Sequence, residues 1–523
     1  MAETGLDGDV GADVLVVGAG SAGCAIAARA SEDPRRSVLV VEAGPDYPDP
    51  RELPFDLINS HNNSYRAHDW GLRHEPSRGR EVDFPRGRVV GGSSAVNTTI
   101  ALRGVPEDYD EWASLGADGW AWQDVLPAFK RLERDLDFGA ADYHGDAGPI
   151  SIRRYRDDEL LPQHQAFLAA AERLDYPACP DANRPDDYGA GPQPMNKLGR
   201  LRISCALGYL APARARPNLR IRPDTLVRRL LLERGRCVGV EIEATGTAGE
   251  REVRTLKAPL VVLAAGALMS PAILLRSGLG PRTELQRHGI EVVRDLPGVG
   301  ANLRDHPALS VAARVRDGVA IDHDAPIIQT ILRYTCDGSD KRNDLQIEQL
   351  SFAGRRSGEA AFAIAAVLEY QFGAGELRLA SADPAAAPIV DNRFCEDPRD
   401  MARLVRCYRD ALAFAAASPL ADMIDAIVFP REAAALTDAD IERLIHRFAG
   451  SGYHPSGTVK MGAEGDPMAV VDARCRAHQV PGLVVADASI MPTVPRANTN
   501  LTSIMIGERV GEWLRTDAAG YGL

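Results

Sequence analysis

The sequence predicts an α/β fold, α+β overall, in which a domain built on a parallel sheet is joined to a second domain built on a mixed or antiparallel sheet covered by helices. Residues 13–18 form a short, apolar, β-branched run, as a buried parallel strand does. Segments 260–266 and 483–488 have the same form, an apolar strand that ends in small residues. Between 311 and 450, strand patterns are followed by helical ones, which indicates a separate domain.

Composition and charge exclude several classes of partner. The 523 residues include 60 basic and 73 acidic ones, and the net charge of −13 disfavours nucleic acid and anionic membranes. The eight cysteines are scattered without metal-binding or disulfide-rich spacing, so we predict no metal site. The N-terminal residues lack the pattern of a signal peptide, and no apolar run reaches the roughly 18 residues of a membrane helix. We therefore expect a cytoplasmic location.

The first strand leads into a glycine-rich turn that is typical of a dinucleotide-binding, Rossmann-like unit. Gly18, Gly20 and Gly23 have the G-x-G-x-x-G spacing, with Ser21 among them, and a helical pattern follows. The glycines allow close approach of the backbone to a pyrophosphate, and the helix N-terminus supplies free N–H groups. The next strand ends at Glu42, which is placed to accept hydrogen bonds from ribose hydroxyls. A purely structural glycine turn is the alternative.

A second segment of small residues begins with Arg88 and continues through Gly91 and Gly92 to Asn97 and Thr98. Small residues let the backbone lie against a flat ring or a phosphate, and their N–H and hydroxyl groups act as donors. A flexible linker is the alternative, but regularly spaced apolar residues within the segment argue against it.

The elements between these motifs are assigned more coarsely. Residues 44–86 are interpreted as a long ordered excursion, in which Trp70 is either a buried loop anchor or a cofactor contact. Helices are expected over 106–135 and irregular structure over 136–220. A hairpin over 226–243 precedes the apolar strand segment at 260–266.

One histidine near the end of the chain is a candidate for chemistry. His454 lies among small and turn-forming residues between Gly452 and Gly462, a pattern that by itself indicates an exposed loop histidine. Imidazole suits a general base, however, because its pKa lies near neutrality. Asn498 and Asn500 follow, just before the terminal helix.

Taken in order, these segments resemble the glucose–methanol–choline (GMC) oxidoreductase family over nearly the whole chain. Residues 87–110 match the first signature of that family, and residues 266–280 match the second. The motif HPxGTxxMG, which begins at His454, resembles the segment that carries the catalytic histidine. Asn498-x-Asn500 resembles the segment that carries its partner.

The resemblance implies an FAD-dependent enzyme that oxidises an alcohol to a carbonyl by hydride transfer to flavin N5. It implies that His454 is the base, that Asn498 holds the substrate oxygen and that Asn500 touches the flavin, although the reverse order of the two asparagines stays open. Some relatives attach FAD covalently at a position where this chain has Val96, so we predict non-covalent FAD. The predicted cofactor-binding residues are Gly18, Gly20, Ser21, Gly23, Glu42, Trp70, Arg88, Gly91, Gly92, Asn97, Thr98, Val227, Asp487, Ala488 and Asn500.

Nucleotide-type elements at the start, middle and end of the chain predict a discontinuous FAD-binding domain. Its expected segments are 1–152, 204–310 and 463–523. The substrate-binding domain is expected to comprise 153–203 and 311–462.

The substrate is less defined than the reaction. We expect a primary alcohol or a sugar or glycoside hydroxyl as substrate, and O2 or another compound as electron acceptor. Glu348 would favour a cationic or polyhydroxylated substrate if it faces the flavin, and is otherwise a solvent-facing strand residue. Tyr453 either forms a pocket wall or packs in the core. A lyase of the same fold with structural FAD and a non-catalytic flavoprotein remain as alternatives, and the oligomeric state is open.

Overall fold

The first sheet of the computed structural model, which describes residues 11–245, 251–353 and 360–523, has five parallel strands. Their spatial order is Leu219–Arg222, Val38–Val41, Val14–Val17, Leu260–Leu263 and Leu483–Val485. Every residue of the last four is buried. Burial on both faces explains why these strands appear in the sequence as continuous apolar runs. The parallel sheet predicted from the sequence is confirmed.

Helices begin at the edge where the parallel strands end. Ser21–Ala30 connects the first two strands along the chain, and Gly266–Arg276 begins three residues after the end of the strand Leu260–Leu263. The terminal helix Thr499–Thr516 packs along Ser21–Ala30. This packing is close, because a Cβ atom at Gly507 would lie 2.5 Å from the carbonyl oxygen of Ala22. The helix ends therefore face one common edge of the sheet.

The second sheet is entirely antiparallel, which narrows the prediction of a mixed or antiparallel sheet. Its strands lie in the order Ile424–Phe429, Pro307–Val315, Ala361–Leu368, Leu345–Leu350, Ile328–Tyr334 and Gly189–Pro192, and Gly450–Ser451 pairs with the second of them. Pro398–Ala416 and Pro162–Arg173 pack on one face. Because side chains alternate along a strand, every second residue points to the opposite, open face.

Smaller sheets and helices complete the fold. A three-stranded antiparallel sheet contains Thr225–Glu233, Arg236–Thr245 and Arg251–Lys257. A four-stranded sheet contains Glu376–Arg378, Ile389–Asp391, Arg73–Ser77 and Arg80–Asp83. The two-stranded pairs are Glu133–Asp135 with Ile150–Ile152, Lys197–Leu198 with Leu201–Arg202, and Leu279–Gly280 with Arg294–Asp295. The other α-helices are Phe55–Ile58, Pro106–Ser114, Trp122–Leu132, Ala211–Ala213, Arg282–Arg287 and Asp438–Phe448. In the described ranges, no helix combines the length and apolar character needed to cross a membrane.

The expectation of irregular structure over 136–220 is wrong in several stretches, of which the longest is the helix Pro162–Arg173. Its buried positions include Gln163 and His164, which hydrogen-bond to the neighbouring sheet. These polar residues on the buried face hide the apolar periodicity that would reveal the helix in the sequence. The predicted domain boundary after residue 310 also falls inside the strand Pro307–Val315. The domain division remains a prediction, and we now place this boundary before the strand.

Candidate active site

A cavity of about 520 Å³ lies between the end of the parallel sheet and the open face of the antiparallel sheet. Most residues predicted for the site line it: Gly18, Gly20, Ser21, Glu42, Trp70, Gly92, Asn97, Thr98, Val227, Glu348, Tyr453, His454, Asp487, Ala488, Asn498 and Asn500. The two predicted domains thus contribute to one cavity.

Three predicted residues do not line the cavity: Gly23, Gly91 and Arg88. A Cβ atom at Gly23 would lie 1.9 Å from the carbonyl oxygen of Gly18, so this glycine lets the helix pack against the turn. Gly91 has left-handed backbone geometry, with φ of 106°, at the start of the short helix Gly92–Ala95. The guanidinium of Arg88 is exposed and lies 5.1 Å from the ring centre of Trp70.

The glycine-rich turn and Glu42 form one end of the cavity. The helix that follows Gly20 has no side-chain cap, so its N-terminal N–H groups are not capped by a side chain. Glu42 accepts hydrogen bonds from the backbone N–H groups of Ala19 and Gly44, both at 2.9 Å. Burial raises the pKa of Glu42 to about 7. The turn and the acid are therefore held together by the fold before any ligand binds.

Asp487 organises the central part of the cavity. One of its carboxylate oxygens accepts hydrogen bonds from the backbone N–H of Gly266, at 2.8 Å, and from the hydroxyl of Ser270, at 2.6 Å. Gly266 has φ of 85°, and a Cβ atom there would meet no heavy atom within 4 Å. On the other side, Ser21 donates to Oδ1 of Asn500 at 2.8 Å.

His454 lies between an amide and a second imidazole. Its Nε2 is 2.9 Å from Nδ2 of Asn498, and its Nδ1 is 2.9 Å from Nδ1 of His306. Its backbone N–H donates to Asp305 at 2.8 Å. Burial, the neighbouring His306 and Arg86 hold the pKa of His454 well below its ordinary value. The ring is therefore neutral at neutral pH, and one nitrogen has a free lone pair.

Sequence reasoning missed three residues around this histidine. Asp305 and His306 precede the first long strand of the antiparallel sheet, and Glu369 follows another strand of it. Nδ1 of His306 lies 3.4 Å from Oε2 of Glu369. Burial lowers the pKa of His306 to about 3 and raises that of Glu369 to about 8. The adjacent acid and histidine at 305–306 were visible as a pattern, but His306 meets its partner 148 residues further along the chain.

The antiparallel sheet supplies a polar wall opposite the glycine-rich turn. Glu348 is half-buried, lines the cavity and accepts a hydrogen bond from Gln346 at 2.8 Å. Burial raises the pKa of Glu348 to about 7. Tyr453 is 39% exposed, and its ring centre lies 5.3 Å from that of Tyr65, another lining residue. Glu348 thus forms part of the cavity wall, and Tyr453 lies where the cavity meets solvent.

The cavity fits a flavin adenine dinucleotide. The uncapped helix N-terminus can hold a pyrophosphate, and Glu42 can hold a ribose. Nδ2 of Asn500 is buried and has no hydrogen-bond partner within the part of the chain that the structure describes, as expected of a donor that serves a ligand. The left-handed backbone of Gly266 leaves open space where a side chain would stand. These features define a Rossmann-like nucleotide-binding enzyme with a histidine facing its ligand cavity.

Comparison with known proteins identifies the family. Two profiles of the GMC oxidoreductase family match residues 12–308 and 372–507. The chain is 36% identical to a 5-(hydroxymethyl)furfural oxidase of Methylovorus, over 97% of this chain and 99% of that protein. It is 36% identical to an oxygen-dependent choline dehydrogenase of Brucella anthropi, over 96% and 95% of the two chains. The crystal structure of pyridoxine 4-oxidase from "Mesorbium loti" matches with a TM-score of 0.87 and 29% identity, over 96% and 98%.

The chain therefore belongs to the GMC oxidoreductase family. The resemblance drawn from the sequence motifs is confirmed, and with it the expectation of an FAD-dependent oxidoreductase that acts on alcohols.

Proposed function

We propose that this protein oxidises an alcohol to a carbonyl with His454 as general base and Asn498 as the residue that holds the substrate oxygen. The observation that carries the proposal is the 2.9 Å contact between Nδ2 of Asn498 and Nε2 of His454 at the cavity wall. A hydroxyl that lies beside both atoms can donate to the imidazole and accept from the amide together. This double contact orients the alcohol and prepares its proton for transfer.

The surroundings of His454 keep it in the form that a base requires. Burial, His306 and Arg86 hold its pKa well below the ordinary value, so the ring is neutral at neutral pH and one nitrogen has a free lone pair. FAD, when bound, supplies flavin N5 as the acceptor of the hydride from the alcohol carbon. The role of the protein is to accept the hydroxyl proton at Nε2 of His454 and to keep the reacting atoms in the cavity.

FAD binding is proposed to be non-covalent. Val96 is 3% exposed and has an aliphatic side chain that cannot form a bond to a flavin. After acid precipitation of the purified protein, we expect the flavin in the supernatant. Flavin that stays with the precipitate would disprove this part of the proposal.

The proposed substrate is a primary alcohol that carries a ring or hydrogen-bond donors. Three relatives are named for 5-(hydroxymethyl)furfural, choline and pyridoxine, all of which are primary alcohols. In this chain, Tyr65 and Tyr453 can contact a ring, and Glu348 can accept hydrogen bonds from hydroxyl or ammonium groups. A sugar or glycoside hydroxyl would use Glu348 in the same way.

Anaerobic flavin reduction tests the function directly. The purified protein is mixed with hydroxymethyl-substituted heteroarenes, benzylic alcohols, aliphatic alcohols, amino alcohols, sugars and glycosides, and the flavin absorbance is followed. We expect bleaching by at least one class. If no class bleaches the flavin, the proposal fails, and cleavage of a cyanohydrin by the same preparation would then indicate a lyase. Peroxide formation measured beside dye reduction distinguishes O2 from another electron acceptor.

A further inference from the structure

We infer that His306 is a positioning residue that fixes the tautomer of His454, so that the lone pair of Nε2 is directed to the substrate position. The catalytic consequence of this inference rests on the proposed function, whereas its geometric basis does not.

The hydrogen bonds along the chain Asn498–His454–His306 determine where the protons lie. The amide nitrogen of Asn498 can only donate, so Nε2 of His454 is the acceptor of their 2.9 Å contact. A neutral imidazole carries one proton, which must then be on Nδ1. That N–H donates to Nδ1 of His306, 2.9 Å away. His306 therefore carries its own proton on Nε2, a buried atom without a hydrogen-bond partner among the described residues.

Burial supports this assignment because it keeps both rings neutral. The pKa of His454 lies well below its ordinary value, and that of His306 is lowered to about 3. The two ring centres are 4.9 Å apart and the rings meet edge to face, at 68°. A protonated His306 would have no lone pair to accept the hydrogen bond from His454. Its positive charge would also repel a positive charge on His454.

The backbone holds the two histidines together although they are distant in sequence. One carboxylate oxygen of Asp305 accepts from the backbone N–H of His306, at 2.7 Å, and from that of His454, at 2.8 Å. Its other oxygen accepts from the hydroxyl of Ser451 at 2.5 Å. A Cβ atom at Gly452 would lie 3.0 Å from Nδ1 of His454 and 3.2 Å from Cβ of His306. The lack of a side chain at Gly452 thus leaves room for the close approach of the rings.

The ionisable groups that face the two histidines do not supply a better acceptor than His306 for the proton on Nδ1 of His454. Glu369 lies 3.4 Å from Nδ1 of His306, but burial raises its pKa to about 8, so it is protonated at neutral pH. Asp305 is occupied by backbone and hydroxyl donors. Arg86 is cationic and disfavours positive charge on His454. The lone pair of His306 is therefore the acceptor that the Nδ1 proton of His454 meets directly.

The proton transfer balances without any proton leaving the pair. The proton on the alcohol oxygen moves to Nε2 of His454 as the hydride leaves the carbon. The proton on Nδ1 stays in place and continues to donate to His306. The hydrogen bond then has a charged donor, and such a bond is stronger than a neutral one. The hydrogen bond to His306 thus stabilises His454 more after proton transfer than before it.

Nitrogen NMR of the resting holoenzyme tests the tautomer without any substrate. The 11 histidines are labelled with nitrogen-15, and the His454 signals are assigned by their loss in His454→Gln. We expect a protonated Nδ1 and an unprotonated Nε2 in the wild type, and a mixture of tautomers in His306→Leu. A protonated Nε2 on His454 in the wild type would overturn the inference. Because no alcohol is needed, this outcome is independent of the proposed function.

Flavin reduction by saturating alcohol tests the consequence. In His306→Leu we expect reduction to be roughly ten- to a hundredfold slower, the value of one hydrogen bond to a charged group. The dissociation constant of the alcohol should stay near that of the wild type. His306→Asn, which can present an amide oxygen at the position of Nδ1, should recover most of the rate. A wild-type rate in His306→Leu would contradict the inference.

Matched variants separate positioning from structural damage. His164 is also buried, bonds Thr330 and Ser351 at 2.8 and 2.9 Å, and does not line the cavity. His164→Leu should therefore reduce its flavin at the wild-type rate. If His306→Leu does not fold, Gly452→Ala keeps both histidines but forces their rings apart, and it should show the same tautomer mixture and slow reduction. An unchanged tautomer and rate in that variant would count against the role of His306.

Discussion

Two histidines of this protein lie in opposite electrostatic surroundings. His454 contacts an amide and a neutral imidazole, and burial lowers its pKa well below the ordinary value. Nδ1 of His144 lies 2.7 Å from Glu133, and its Nε2 lies 2.9 Å from Asp181. Burial alone would lower the pKa of His144, but these carboxylates raise it. The pKa of the same side chain is thus lowered in one place and raised in the other.

The surroundings of His144 form a closed ionic cluster. The other members are three carboxylates and two guanidinium groups: Glu133, Asp135, Asp181, Arg103 and Arg154. A protonated His144 brings the formal charge of the cluster to zero. Glu133, Asp135 and His144 lie close enough to share a metal ion, but the arginines already supply the positive charge that a cation would bring. At His144 the neighbouring carboxylates therefore outweigh burial, whereas burial is the main cause of the lowered pKa of His454.

The largest expected effect is the loss of the neutral base. His454→Ala should slow alcohol-dependent flavin reduction by roughly 10²–10⁴-fold, the usual contribution of a general base. The FAD content should stay at the wild-type level, because the predicted cofactor contacts lie elsewhere in the cavity. Stopped-flow absorbance of the flavin measures the rate. An unchanged rate would mean that His454 is not the base.

Removal of His144 should affect stability and not catalysis. In His144→Leu, the buried carboxylates of the cluster lose the hydrogen-bonded partner whose pKa they raise, which costs about 3–5 kcal/mol of unfolding free energy. Flavin reduction by the folded variant should match the wild type. Thermal and urea denaturation measure the loss, with His164→Leu as the control for a buried neutral histidine. If both variants lose the same stability, the charge of His144 is unimportant.

A smaller effect is expected at the amide that faces the base. Asn498→Ala removes the donor that would hold the substrate oxygen, and a lost hydrogen bond of this type costs about 1–3 kcal/mol. Flavin reduction should then be roughly 5- to 100-fold slower. Asn500→Ala serves as the comparison, because Asn500 contacts Ser21 and not His454. A larger rate loss in Asn500→Ala would reverse the assignment of the two asparagines.

The smallest effect is a difference in the pH dependence of stability. The raised pKa of His144 gives stability that is fully present below its ordinary value, near 6.5, and is lost as the pH rises through the folded pKa. The lowered pKa of His454 acts in the other direction, because stability falls as the pH drops below about 6.5. Melting temperatures between about pH 5 and 9 measure both.

The variants should change these pH profiles in opposite ways. His144→Leu should lose the decline on the alkaline side, and His454→Ala should lose part of the decline on the acid side. Profiles parallel to that of the wild type would contradict the assigned protonation states.

The sequence by itself predicts the nucleotide-binding half of the molecule and the order of the family motifs. These signals are local: a turn that needs glycines, strands that are apolar because both faces are buried, and a helix that begins where an anion binds. The strands at 14–17, 260–263 and 483–485 could be predicted as one parallel sheet because each pattern is complete within a few residues.

Only the tertiary structure decides which side chains meet in the cavity. Alternation along the strand predicts that Glu348 and its two sequence neighbours point to opposite faces of the sheet. The packing of helices on the sheet then determines which of the two faces is open to the cavity. The contact between His306 and His454 joins residues 148 positions apart, and the helix at Pro162–Arg173 is hidden by its buried polar residues. His454 could be identified as a candidate base from its motif. Its neutral state, its tautomer and its partners depend on burial and on long-range contacts, which no local pattern contains.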